Sequence, residues 1–167
     1  MKNNINRSHA LSLLALTVSA AMILSFVESQ LPTFVPIPGI KIGLANIAVI
    51  FALYDFGVIR ATFVSLIRVF LVALLFGNIT GMIYGLFGAV SSLMLMSLLK
   101  KCTPLSCIGV SVAGAVAHNM GQILAAWLLI GNEKILLYLP VLVISGTISG
   151  IAIGFASGIL IKRLKNL

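Results

Sequence analysis

The chain has 167 residues, of which 60% are apolar and 8% are charged, and its net charge is +8. A soluble domain is about 45–50% apolar and about 25% charged, so this composition excludes a water-soluble globular fold. The basic residues stand singly or in pairs between apolar runs, without interleaved aromatic residues, so no nucleic-acid partner is expected. Three acidic residues are too few for paired-carboxylate catalysis or a calcium site. We therefore expect an integral membrane protein that is not an enzyme.

Six apolar segments separated by turn residues predict one transmembrane domain over residues 1–167, an all-α compact bundle of six transmembrane helices. The approximate spans are residues 10–27, 42–56, 59–76, 80–99, 105–130 and 135–161. We interpret the first span as an uncleaved helix, because signal-peptide cleavage near Ala20 would cut its apolar run in half. The second span has 15 residues and measures only about 22 Å as a helix, against a hydrocarbon core of roughly 30 Å.

The lysines and arginines predict how the bundle is oriented in the membrane. Alternate connections carry eight basic residues on the side of the N-terminus and two on the other side. Basic residues favour the cytoplasmic side, so both termini are predicted to be cytoplasmic and the protein to lie in the cell membrane. The Gly77-Asn78 turn then faces outward. The inner set is Lys2, Arg7, Arg60, Lys100, Lys101, Lys162, Arg163 and Lys165, and the outer set is Lys41 and Lys134.

Small residues recur at four-residue spacing in the last two segments. Segment six has a glycine at every fourth residue from Gly146 to Gly158, and segment five has a comparable series of small residues from Gly109 to Ala125. Faces of this kind let helices approach each other closely in lipid. They either pack within the bundle or face outward to dock a helix of a partner, and the sequence leaves both interpretations open.

Arg68 is the charged residue predicted near the middle of the membrane. It lies eight residues beyond Arg60, about 12 Å above the inner boundary of the bilayer. An arginine at that depth costs about 2.5–3.5 kcal/mol to insert. No acid is expected at its level, since Asp55 is placed at the inner edge and Glu28 at the outer edge. Carbonyl and amide groups or snorkelling would satisfy the guanidinium, or an anionic ligand group would supply its counter-charge.

A second polar group lies on segment five, where His118 and Gln122 share one helix face and Asn119 lies beside them. A structural role and a ligand-binding role are both open for these residues. A metal site is not expected, because one imidazole without carboxylate or thiolate neighbours binds metal ions poorly. Segment two adds Asn46, which follows the irregular stretch Pro38–Gly43. This stretch is either an ordinary junction or part of the lining of a cavity.

These polar residues map to the middle or the outer half of the bundle and together predict an outward-opening pocket for a small molecule. Tyr84 lies in the same half, either as part of the interfacial aromatic belt or as a surface on which the ligand stacks. No catalytic residue, cofactor or metal ion is predicted. The predicted ligand-binding residues are Lys41, Asn46, Arg68, Tyr84, His118, Asn119 and Gln122.

The connection Leu31–Gly39 contains three prolines, which exclude a regular helix, while Phe34, Val35 and Ile37 keep it apolar. We predict that this connection folds over the pocket as a lid instead of extending into water. A static plug and a simple connector are the alternatives.

Four stretches of the chain are distinctive, namely PGIKIGLANI (38–47), RVFLVALLFG (68–77), GVSVAGAVAHNMGQ (109–122) and YLPVL (138–142). They resemble the Gx transporter family, whose members are often labelled heptaprenyl diphosphate synthase component I. The resemblance extends from about residue 28 to about residue 158. The HN-x-GQ block at 118–122 is its most distinctive part.

This family is similar to the substrate-binding S components of energy-coupling factor (ECF) transporters, which are six-helix membrane proteins with an outward pocket. The resemblance implies that the protein captures a small metabolite from outside the cell. The expected metabolite carries an anionic group, as some vitamins and isoprenoid precursors do. Because the sequence has no Gly-rich GK[ST] motif, an ECF coupling subunit and ATPase subunits would supply the energy. The alternatives are a non-catalytic membrane partner subunit of polyprenyl diphosphate synthesis and an autonomous secondary carrier.

Overall fold

The structure is a computed structural model that describes residues 7–30 and 43–165. Within these ranges all regular structure is helical, which confirms the predicted all-α class and the six α-helices. They are α1 Arg7–Gln30, α2 Asn46–Asp55, α3 Val58–Phe76, α4 Ile79–Cys102, α5 Cys107–Ile130 and α6 Leu139–Lys165, with a 3₁₀ helix at Glu133–Tyr138. The predicted lid and Lys41 lie outside the described residues.

Local polar caps and glycines set several of the helix ends. The side chain of Asn78 accepts a hydrogen bond from the Gly81 N–H at 2.7 Å and so caps α4, which begins three residues after the last residue of α3. Ser106 caps α5 in the same way through the Gly109 N–H at 3.2 Å. Such caps satisfy N–H groups that have no partner within the first helical turn. Gly131, with φ +68°, ends α5 in the left-handed conformation that glycine adopts without strain.

Five of the helical stretches in the described part of the chain are long and apolar enough to cross a membrane. The second α-helix is shorter than the predicted span 42–56, because it begins only at Asn46 and ends at Asp55. Its 10 residues measure about 15 Å, roughly half of the hydrocarbon core. Gly43, with φ +79°, precedes it in a conformation that no other residue type adopts readily.

The short helix α2 lies at the centre of the bundle. Its buried residues Val49, Ile50 and Leu53 form one cluster with apolar side chains from α3, α4, α5 and α6. At its C-terminal end, the Lys100 ammonium of α4 donates a hydrogen bond to the Leu53 carbonyl at 2.6 Å and lies 4.7 Å from the centre of the Tyr54 ring. The end of α4 is therefore fastened to the end of α2.

The small residues of α6 pack against α5 inside the bundle, which selects one of the two interpretations left open by the sequence. A Cβ atom added at Gly150 would lie 2.6 Å from the Cα of Val112, and one at Gly154 would lie 2.7 Å from the Cα of Ile108. Only hydrogen fits at such distances. Gly158 differs, since an added Cβ there meets nothing within 4 Å.

Large apolar side chains cover the outer faces of the long helices. Leu11 of α1, Phe63 of α3, Met94 of α4 and Ile148 of α6 are all at least 60% exposed. Water would disfavour so much exposed apolar surface, whereas lipid chains accept it. The fold is therefore that of a multi-pass membrane protein.

Candidate binding cavity

A cavity of about 260 Å³ lies among α1, α3, α4 and α5, near the point where α1 and α3 end and α4 begins. Its lining combines polar side chains from α1, α3, α5 and the N-cap of α4 with small and apolar residues. The lining residues are Ser25, Glu28, Ser29, Arg68, Val69, Val72, Ala73, Phe76, Gly77, Asn78, Gly81, Gly85, His118 and Gln122. Three of the seven predicted ligand-binding residues, Arg68, His118 and Gln122, thus line one cavity.

Arg68 supplies a hydrogen-bond donor that lacks a protein acceptor. Its Nε is buried and has no hydrogen-bond partner. An arginine nitrogen only donates hydrogen bonds, so the missing partner has to be an acceptor. A hydrogen bond to a charged group contributes about 1.5–3 kcal/mol to stability. Arg68 lacks a contribution of this size as long as its Nε has no acceptor. Arg68 therefore brings to the lining of the cavity a positive charge and one nitrogen without an acceptor.

Glu28 lines the same cavity, which corrects the expectation that no acid lies near Arg68. Glu28 and Arg68 therefore belong to one cavity lining. The Oε1 of Glu28 accepts a hydrogen bond from the Gly43 N–H and so joins the end of α1 to the entrance of α2. The position of Glu28 along the chain predicts its depth in the membrane but does not predict which neighbouring helix its side chain faces. The packing of α1 against α3 brings Glu28 and Arg68 into one lining.

His118 and Gln122 reach the cavity from α5 because a glycine on α4 leaves room for them. A Cβ atom added at Gly88 would lie 2.9 Å from both Cε1 and Nε2 of His118 and 3.0 Å from Cγ of Gln122. The Oε1 of Gln122 is buried and accepts no hydrogen bond. An amide oxygen only accepts hydrogen bonds, so its missing partner is a donor. Ser25 adds a buried hydroxyl that also has no partner.

The sequence matches a family model described as heptaprenyl diphosphate synthase component I over residues 17–160. The chain belongs to this family. The match includes every residue that lines the cavity and confirms the resemblance to the Gx transporter family. Among curated proteins and solved structures, no match to the chain was found.

Three other residues predicted to bind a ligand, Asn46, Tyr84 and Asn119, lie outside the lining of this cavity. Asn119 points toward α6, where its Nδ2 donates a hydrogen bond to the Leu142 carbonyl at 2.8 Å. Asn46 lines a separate, much smaller cavity among α2, α4, α5 and α6. Tyr84 is half-buried on α4 and does not belong to the lining of the larger cavity. Lys41 lies outside the described residues.

Sequence reasoning missed Glu28, Ser25 and Asn78 as lining residues. Asn78 could have been predicted, because the sequence indicates that the Gly77-Asn78 turn lies at the outer end of the bundle, where the pocket is expected. Ser25 and Glu28 are three residues apart on α1, a spacing that puts them on one helix face. That spacing was available in the sequence, but it does not reveal which neighbouring helix the face meets.

The arrangement is suited to binding a small polar molecule. A guanidinium, a carboxylate, an amide oxygen and an imidazole surround one space, with Val69 and Val72 as apolar walls. In the described part of the chain, no three side chains among His, Cys, Asp and Glu come close enough together to hold a metal ion. The groups that are present would hold a molecule through charge and hydrogen bonds.

Proposed function

We propose that this chain is the substrate-binding component of an ECF-type importer and captures a small metabolite with an anionic group from outside the cell. A separate coupling subunit and ATPase subunits supply the energy. One observation carries this proposal. A cavity at one end of a membrane bundle contains an arginine whose buried Nε has no hydrogen-bond partner. A bound carboxylate or phosphate would supply an acceptor and would add to the negative charge that Glu28 already places in the lining.

The distribution of basic residues supports an outward-facing cavity. The cavity is lined by the last residues of α1 and α3 and the first residues of α4. Lys100 and Lys101 lie in the last turn of α4, at the opposite end of that helix. Basic residues favour the cytoplasm, so the cavity end faces outside in the proposed orientation.

The size of the cavity supports a small ligand over a long-chain one. The cavity has a volume of about 260 Å³. This volume lies just below the range of about 300–1,000 Å³ that is usual for drug-sized ligands. A polyprenyl chain with many isoprene units does not fit in this space.

Co-expression with an ECF coupling and ATPase module tests the proposed assembly. We expect the chain to co-purify with the module and vesicles containing the complex to take up its ligand only with ATP. The ligand is identified beforehand by native mass spectrometry of the gently purified chain. Lack of association together with ATP-independent uptake contradicts the proposal. Uptake by the chain alone, driven by an ion gradient, would identify an autonomous carrier instead.

The variant Arg68→Gln tests the proposed anion contact. Loss of charge-assisted hydrogen bonds of about 1.5–3 kcal/mol each weakens binding by about tenfold to more than a hundredfold. We expect the retained molecule to disappear from native mass spectra of this variant, and Arg68→Lys to restore only part of the binding, because lysine lacks the planar fork. Arg60→Gln is the matched control, since Arg60 is exposed on the same helix and lies outside the cavity lining. Unchanged binding with a lowered unfolding temperature would show that Arg68 is structural.

The family description favours one alternative, a non-catalytic membrane partner subunit of polyprenyl diphosphate synthesis. Asp-rich magnesium sites serve that chemistry, whereas this sequence contains one aspartate, Asp55. Catalysis would therefore belong to a separate soluble subunit. A clear rise in the activity of a purified catalytic subunit on addition of this chain in lipid vesicles would favour this function.

A further inference from the structure

We propose that the ligand of the cavity is a zwitterion, a small molecule that carries both a carboxylate and a protonated amine. This inference rests on the proposed function, since it specifies the class of molecule captured at the same site. It goes beyond anion capture because it assigns a ligand-binding role to Glu28, a residue that the sequence had placed away from the site. The observation behind it is the presence of one cationic and one anionic side chain, Arg68 and Glu28, in one lining.

The two charges disfavour ligands of a single sign. A purely anionic ligand is attracted by Arg68 but repelled by the Glu28 carboxylate. A purely cationic ligand is attracted by Glu28 but repelled by Arg68. Both forces are stronger in a protein interior than in water, because the effective dielectric constant is lower. A molecule with separated opposite charges gains from both side chains. It also leaves the total charge of the cavity unchanged.

The unpaired hydrogen-bonding groups of two lining residues favour the same class of ligand. The Nε of Arg68 requires an acceptor, whereas the Oε1 of Gln122 requires a donor. A carboxylate offers only acceptors and leaves the amide oxygen unsatisfied. An ammonium group adds three N–H donors. Glu28 accepts one hydrogen bond from the Gly43 N–H, and a carboxylate has about four lone-pair sites, so it retains capacity for the ammonium group.

Matched small molecules test the inference on the purified full-length chain in lipid nanodiscs. The probes are the twenty amino acids and, for each hit, its analogue without the amine and its analogue without the carboxylate. For leucine these are 4-methylpentanoate and 3-methylbutylamine. We expect at least one amino acid to bind about tenfold or more tightly than either analogue, the difference of one charge-assisted hydrogen bond. Equal binding of the carboxylate analogue, or no binding by any amino acid, overturns the inference.

The variant Glu28→Gln separates the charge of this residue from its structural role. A glutamine oxygen still accepts the hydrogen bond from Gly43, so the junction between α1 and α2 keeps its contact. We expect the preference for the amino acid over its carboxylate analogue to disappear. Glu133→Gln is the matched control, since Glu133 is exposed in the 3₁₀ helix and lies outside the cavity lining. A preference that persists in Glu28→Gln contradicts the assigned role.

Failure of the inference and failure of the proposed function give different results. ATP-dependent uptake of a carboxylate without an amine, in complex with the ECF module, refutes the zwitterion and leaves the importer intact. Tight binding of an amino acid by a chain that never associates with the module refutes the importer and leaves the zwitterion site intact.

Discussion

The contact between α5 and α6 depends on Gly150, and Gly150→Ala tests this dependence. An added Cβ atom would lie 2.6 Å from the Cα of Val112, 3.2 Å from the Cβ of Ala115 and 3.2 Å from the carbonyl oxygen of Ser111. Ordinary van der Waals contact begins near 3.4 Å, so the two backbones have to separate by about 0.8 Å at this point. Backbone atoms of two long helices have no rotamer by which to avoid the clash.

The expected loss of stability follows from two opposing terms. Overpacking of this kind costs about 1–3 kcal/mol, while alanine stabilises a helix over glycine by about 0.8–1.0 kcal/mol. Gly158→Ala has only the second term, because nothing lies within 4 Å of the added atom. The propensity term is common to both variants and cancels in their comparison. Gly150→Ala is therefore expected to be about 1–3 kcal/mol less stable than Gly158→Ala.

Reversible unfolding in mixed micelles with increasing SDS measures this difference. Trp127 on α5 is the one tryptophan of the chain, so its fluorescence reports on the helix that contacts Gly150. We expect the unfolding midpoint to fall for Gly150→Ala and to stay the same or rise for Gly158→Ala. Equal midpoints for the two variants, or a higher one for Gly150→Ala, would refute the close approach of α5 and α6.

Two further substitutions test the cavity wall and the opposite end of the bundle. Gly88→Ala places a methyl group 2.9 Å from the imidazole of His118. Because the clash is with a side chain that can move, we expect the imidazole to shift into the cavity and the SDS midpoint to change little. Ligand retention in native mass spectra is expected to fall about tenfold. Normal retention would contradict this. Lys100→Met removes the hydrogen bond to α2 and the contact with Tyr54, with an expected loss of about 1–2 kcal/mol. The exposed neighbour Lys101→Met is its control, and equal midpoints would argue against this fastening.

The ends of α3 and α4 were predictable from the sequence because local chemistry sets them. The Gly77-Asn78 turn separates two apolar runs, and the structure ends α3 at Phe76 and begins α4 at Ile79. A side-chain cap depends only on residues within one turn, so it is visible in the sequence. The presence of Arg68, His118 and Gln122 in one cavity was also predictable, because polar groups avoid lipid and turn inward.

The positions of α2 and Glu28 were not predictable, because they depend on which helices become neighbours. The short helix lies in the centre of the bundle among α3, α4, α5 and α6, which puts Asn46 in a different cavity from Arg68. The adjacency of α1 and α3 brings Glu28 to the arginine. Periodicity gives each helix its polar face but does not give the partner of that face.

Helix α4 connects the cavity with the opposite end of the bundle. Gly81 and Gly85 belong to the cavity wall, and Lys100, fifteen residues beyond Gly85, holds the end of α2 through a hydrogen bond of 2.6 Å. Fifteen residues of helix measure about 22 Å, so a tilt of about 5° pivoting at the cavity displaces the lysine by about 2 Å. That displacement is comparable with the 2.6 Å length of the hydrogen bond. The position of α4 at the cavity is therefore coupled to the end of α2 at the other end of the bundle, through one helix and one hydrogen bond.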